Sequence, residues 1–255
     1  MLGVYLGSML VLGSLFSVVD LLTGEFVGAL VAQSAAMVVA AVITLALSRA
    51  ILGLDWRSAI RRAGGRVPGG VWAPVLVLFA AGYPLVVQIA LITHLLLPMP
   101  EFLSKLFDEL LGAQDQALPA FLLLTVIAPL VEEFVCRGWL MPAFLERWRP
   151  SRAIALTALI FGLMHLNPWQ FFYAFYLGLW LGWVYARTRS IWPCVAGHAM
   201  NNGLAWLMTL LSPADSEWGG SNLQIPELIP WPVVLLSLMA VVAAAAWLRR
   251  AGGRP

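Results

Sequence analysis

Eight apolar runs long enough to cross a bilayer divide this chain, at about 2–20, 26–49, 72–97, 118–136, 152–167, 169–187, 191–211 and 229–248. A hydrocarbon core of about 30 Å takes about 20 residues of helix. Within lipid every backbone polar group must be satisfied inside its own segment or a closed barrel. Continuous runs of this length, without strand-like alternation, therefore predict an all-α polytopic bundle of about eight transmembrane helices. The fifth run is the short one. Composition agrees: 61% of the 255 residues are hydrophobic and 11% charged, against about 25% charged in soluble domains. The connections are too short to hold a second domain, so a single integral-membrane domain, 1–255, is expected. No internal repeat or low-complexity linker is evident.

The charges fix an orientation. With the amino terminus inside, the inner connections carry Arg49, Arg57, Arg61, Arg62 and Arg66, then Arg137, Arg147, Arg149 and Arg152, then Arg187 and Arg189. Arg249, Arg250 and Arg254 close the chain. Lys105 alone of the 15 basic residues falls opposite, among Asp20, Glu25, Glu101, Asp108, Glu109, Asp115, Asp215, Glu217 and Glu227. That segregation is the positive-inside pattern, and it predicts both termini in the cytoplasm. The first run lacks a basic leader and is read as a retained helix rather than a signal peptide. Trp72, Trp148, Trp169, Trp192, Trp231 and Trp247 flank predicted span ends, as interfacial anchors do. The 99–112 stretch places Phe102, Leu103, Leu106, Phe107, Leu110 and Leu111 on one helical face; it is too short to span and suits the outer surface. Arginine outnumbers lysine 14 to 1, which hints at a GC-rich prokaryote and a multi-pass protein of its cell membrane. No nucleic-acid partner is expected.

Against this apolar background a few ionisable groups stand out. Leu118 to Val131 carries no charge, and then Glu132, Glu133 and Arg137 arrive together. Each costs about 2.5–3.5 kcal/mol at the centre of a membrane helix, so three in six residues need compensation or a use. Glu133 and Arg137 are spaced i, i+4 and can pair along the helix. Glu132 projects about 100° away, free for another role. Two further spans supply His165, one turn after Phe161, and His198 with Asn202 at i, i+4. A carboxylate, two imidazoles and a carboxamide comprise a base, donors and an oxyanion binder. Each could separately be structural. His94 is read as structural and Cys136 as a small buried hydrophobe, and Cys136 and Cys194, both in or at the ends of apolar runs, are not expected to form a disulfide framework. HExxH is absent, no intramembrane aspartates pair, and no nucleophile elbow surrounds Ser8 or Ser14.

In this order and spacing, Glu132-Glu133-x-x-x-Arg137, Phe161-x-x-x-His165 and His198-x-x-x-Asn202 resemble the three motifs of the CPBP (CAAX protease and bacteriocin-processing) intramembrane proteases. That family contains the eukaryotic Rce1-like CAAX prenyl endopeptidases and bacterial relatives, some linked to bacteriocin self-immunity. The resemblance covers about 118–210, a catalytic core within the single domain. It implies an intramembrane endopeptidase in which Glu132 activates water and His165 helps to hold it. His198 and Asn202 would stabilise the oxyanion, with Glu133, Arg137 and Phe161 in support. It implies membrane-embedded or lipid-anchored peptide or protein substrates, reached through a cavity toward the cytoplasmic side. A divalent metal such as zinc is a candidate cofactor, with Glu132, His165 and His198 its candidate ligands. Two other readings use the same residues: a non-catalytic binding or immunity protein, and a small transporter with a Glu/His proton relay. The transporter reading predicts charges along a path and repeated broken helices, neither of which is evident. One geometric problem stands. If the fifth helix starts near Ser151, His165 lies at its far end, and a shared site needs that helix to begin deeper, tilt, or form a cavity wall.

Overall fold

A computed structural model of the chain describes residues 64–101, 117–165, 167–211 and 227–251, with the isolated helical positions Val39, Val42 and Ala46. The expected spans at 2–20 and 26–49, and nearly all of the 99–112 stretch, lie outside these residues. Among the described residues every expected span is helical. Helix α1 runs Trp72–Leu96, α3 Pro150–Leu163, α4 Pro168–Thr188, α5 Trp192–Leu211 and α6 Trp231–Ala251. Helix α2 is continuous over 117–145 and contains two π-helical stretches. By length and composition, Gly69–Leu96, Leu118–Leu145 and Trp231–Ala251 are long and apolar enough to cross a membrane, and Pro150–Leu163 is a shorter apolar helix. Helices α4 and α5 hold the aromatic and carboxamide side chains that dilute their apolarity.

Two spans depart from expectation. The fourth was expected to stop near 136 and leave Arg137 in an inner connection; instead the helix continues to Leu145, with Arg137 wholly buried inside it. The fifth was expected to reach 167 and stops at Leu163. The signal for that stop is Asn167-Pro168. Asn167 caps α4, its Oδ1 accepting from the Gln170 backbone N–H at 2.8 Å, and Pro168 takes the first helical position, where a missing N–H is harmless.

The π-helical stretches have a common cause. Leu123–Ile127 and Phe134–Leu140 each end two residues before a proline, Pro129 and Pro142. A proline ring in a helix clashes with the carbonyl four residues back and offers it no N–H. Widening the preceding turn relieves the clash, so Ala128 N–H reaches Leu123 O and Met141 N–H reaches Cys136 O, each five residues back.

Helix α1 packs against α4, α5 and α6, while α2 packs against α5 through its first half and α3 through its second. Helices α3 and α4 form a close antiparallel pair. Gly178 and Gly182, spaced as small residues are at tight membrane contacts, admit them: a Cβ at 178 would stand 3.0 Å from Ala158 Cα, and one at 182 would stand 3.3 Å from Ile154 Cγ2. Ser237 of α6 donates to the Ala81 carbonyl of α1, in the turn that Pro84 loosens.

This packing gathers arginines at one end. The connection between α2 and α3 carries Arg147 and Arg149, and Ile154 one turn into α3 meets Gly182, close to the end of α4 at Arg187 and Arg189. A β-bridge from Gly64 to Ser190 brings Arg66 to the same end. Arg187 and Arg249 both stand over the Trp183 ring. At the opposite end, Trp169 Nε1 donates to Leu97 O at 2.7 Å and Ile229 N–H to Gln88 Oε1 at 2.8 Å.

Candidate active site

The extension of α2 removes the depth problem. Measured from the α2–α3 connection at about 1.5 Å per residue, Glu132 lies about 20 Å along α2 and His165 about 22 Å along the chain from Pro150. The two motifs sit side by side because both helices start from the same turn. Helix α5 joins them through its register on α4: Cys194 Sγ donates to Leu181 O at 3.4 Å, which leaves His198 one turn further in, near Gly178.

Glu133 is the closed half of the acidic pair. Fully buried, it accepts from Arg137 at 2.8 Å and from His198 Nδ1 at 3.0 Å, both on Oε1. Arg137 also donates to the Gly178 carbonyl at 2.9 Å, and its Cζ lies 4.8 Å from the centre of the Phe161 ring. An ionised carboxylate only accepts, so His198 carries its proton on Nδ1 and turns Nε2 the other way. Glu132 stands there: its Oε2 is 4.0 Å from His198 Nε2, and its side chain is 15% exposed against 4% for His198. The two glutamates diverge on the helix as their spacing dictates. They nevertheless meet the same imidazole, one at each nitrogen, which the sequence reading did not foresee.

Phe161 is the hinge of the cluster. Wholly buried, it presents its ring edge-on to His165 and to His198, with centroids 5.3 and 5.5 Å apart. His165 Nδ1 donates to the Phe161 carbonyl at 2.9 Å, directing Nε2 away from its helix. Asn167 holds the backbone that carries it, donating from Nδ2 to His165 O at 3.0 Å and to Gln170 Oε1 at 2.7 Å. Among the described residues no hydrogen bond joins His165 to Glu132, His198 or Asn202; it reaches the cluster through Phe161.

Asn202 has a partner that the helix break explains. In the widened turn the Ala128 N–H is taken by Leu123 O, and the next donor in line, at position 129, does not exist. The Leu124 carbonyl is thereby left over, and Asn202 Nδ2 donates to it at 2.9 Å. Asn201, 5% exposed, in turn donates to Asn202 Oδ1 at 3.2 Å. Asn201, Asn167 and Gln170 were missed by sequence reasoning. Their signals were present in the Asn201-Asn202 pair and in Asn167-Pro168, an N-cap followed by a first-turn proline.

Several polar atoms here are buried without a protein partner: Glu132 Oε2, Glu133 Oε2, Arg137 Nε and Asn201 Oδ1. Buried polar atoms are normally satisfied, so Glu132 Oε2 can accept from a small polar molecule. Among the described residues no group of three His, Cys, Asp or Glu side chains is arranged to hold a metal ion. The candidate set Glu132, His165 and His198 does not fit a metal as it stands. A cavity of about 480 Å³ lies elsewhere, between α4 and α6.

Residues 114–204 match the Rce1-like family, described as type II CAAX prenyl endopeptidase Rce1-like. That stretch holds every motif residue from Glu132 to Asn202. A curated protein of Bacillus subtilis (strain 168), named "Putative membrane peptidase YdiL", is 27% identical over 96 residues, 37% of this chain. The chain spans 39% of that relative's length. No solved structure matches the chain. Residues 114–204 are thus similar to a membrane-protease family, and the apolar helices are those of an integral membrane protein.

Proposed function

We propose that this protein is an intramembrane endopeptidase that hydrolyses membrane-associated peptide or protein substrates with water activated by Glu132. The observation that carries the reading is the shared imidazole: His198 is held by an arginine-paired carboxylate on one side and faces the freer carboxylate on the other. A water bonded to Glu132 Oε2 and His198 Nε2 at about 2.8 Å each would see them about 90° apart across the 4.0 Å gap. Glu132 takes a proton from that water as its oxygen bonds to the scissile carbonyl carbon. The resulting oxyanion accepts from the second Asn202 Nδ2–H, the first being committed to Leu124. His198, held by Glu133 through Nδ1, keeps the water in place through Nε2. The intermediate collapses by breaking the C–N bond, and Glu132 returns its proton to the departing amine. No acyl-enzyme forms. His165 orients the water from across Phe161.

The rest of the reading concerns the membrane. Eight helices with both termini in the cytoplasm place the arginine-rich end at the inner face of a prokaryotic cell membrane. The whole chain, 1–255, forms one domain, and the site opens toward that face. The test is cleavage of a membrane-tethered peptide by the wild type and by Glu132→Gln, which keeps shape and removes the base. A loss of about 10²–10⁴-fold in kcat is expected, the usual scale for general-base catalysis, with the thermal unfolding midpoint retained. Equal turnover in a folded variant rejects the reading, and binding of the peptide without cleavage by the wild type favours a carrier role.

A further inference from the structure

The groove between α4 and α6 takes no part in the proposed reaction. Tyr176, Trp180 and Trp183 of α4 and Val242, Ala246 and Arg249 of α6 are among the residues that enclose its roughly 480 Å³. Its aromatic wall is a row of edge-on rings, Tyr176 on Trp180 at 6.1 Å and Trp180 on Trp183 at 6.2 Å. Arg249 lines one end of it, and the guanidinium carbons of Arg249 and Arg187 each lie 5.9 Å from the centre of the Trp183 ring, within about 12 Å of each other.

Two like charges on one indole repel each other, and among the described residues neither arginine has a carboxylate partner. An anion between them relieves that repulsion. Below the arginines the wall is apolar; Val242 stays 61% exposed. The lining runs from Trp183 back to Tyr176 and from Arg249 back to Val242, seven residues on each helix, about 10 Å at 1.5 Å per residue. That is about two-thirds of one leaflet's share of a hydrocarbon core about 30 Å thick. A small free anion would meet the arginines and leave the apolar wall uncovered, and an uncharged chain would leave the arginines unanswered. We propose that this groove is a binding site for an anionic phospholipid, its phosphate between Arg187 and Arg249 and one acyl chain along Trp183, Trp180 and Tyr176. Basic pockets between spanning helices at the inner face suit such headgroups.

The test uses the full chain in detergent, titrated with dioleoylphosphatidylglycerol or dioleoylphosphatidylcholine, with retained lipid counted by native mass spectrometry. The wild type is expected to retain the anionic lipid selectively. Each surface arginine is worth roughly 5-fold in affinity for anionic lipid, so Arg187→Gln with Arg249→Gln should weaken retention roughly 30-fold. The Arg187→Lys, Arg249→Lys protein should keep most of it. Ala246→Phe, at an exposed position, should block the chain with both arginines intact. Equal retention of the two lipids by the wild type overturns the proposal. So does undiminished retention in either the glutamine or the phenylalanine variant, or displacement of the lipid by an equal concentration of glycerol phosphate.

Discussion

Glu133 and Arg137 form a buried pair whose two ends do different work. Arg137 neutralises Glu133 and ties α2 to the Gly178 carbonyl, while Glu133 sets the tautomer of His198. Removing one member of a buried ion pair strands the other charge and costs about 3–5 kcal/mol; replacing both by apolar groups of similar size is often neutral or better. Arg137→Met and Glu133→Leu are therefore each expected to lower stability by about 3–5 kcal/mol, and the double variant to recover most of it. Turnover should not recover, because His198 then lacks the carboxylate that orients it. Unfolding midpoints with peptide cleavage on the same three proteins check this. A double variant with both stability and activity restored would make the pair purely structural. This pairing was legible from the i, i+4 spacing alone. The convergence of both glutamates on His198 was not, because helical projection says where a side chain leaves its own helix and nothing of what another helix brings to meet it.

At the scale of the element, α2 shows how proline and charge misled the sequence reading in opposite directions. Arg137 suggested the end of a span because an unpaired guanidinium belongs in water; its partners Glu133 and Gly178 O let the helix run eight residues further. Pro129 and Pro142 drew no attention, yet they account for both widened turns. The fifth span was overextended for the converse reason: apolar residues continue past Leu163, but Asn167-Pro168 starts a new helix. The order of the helices and the identity of the polar residues were readable from hydropathy. The depth match between Glu132 and His165 was hidden until α2 was given its true end. Asn202 offers a test of the proline account. Asn202→Ala leaves the Leu124 carbonyl without a donor, which costs about 1–3 kcal/mol, and should lower turnover about 10²–10³-fold by removing an oxyanion donor. Adding Pro129→Ala restores a backbone N–H at 129 that can satisfy Leu124. The double variant should regain stability while staying slow. Unfolding midpoints that do not recover in the double variant would refute the explanation, and recovery of both properties would confine Asn202 to holding α2.

Across the whole molecule, the arginines define an end that the packing itself assembles. The α2–α3 connection, the α4–α5 turn and the last turn of α6 come together through the Gly182–Ile154 contact and the shared Trp183 ring. Arg137, counted with an inner connection, lies buried inside α2 instead. The end opposite is tied by Trp169 to Leu97 and by Gln88 to Ile229. The arrangement makes a topological prediction free of any catalytic assumption. Both native cysteines are buried, so single cysteines placed at exposed positions report cleanly with a membrane-impermeant maleimide. Trp148→Cys and Arg189→Cys should label together from the cytoplasmic side of oriented vesicles, and Leu97→Cys and Leu228→Cys only from the other side. Labelling of 148 and 189 from opposite sides would break the antiparallel pair of α3 and α4. Labelling of that pair from outside would keep the fold and invert the membrane, moving the entrance that substrates use to the external face.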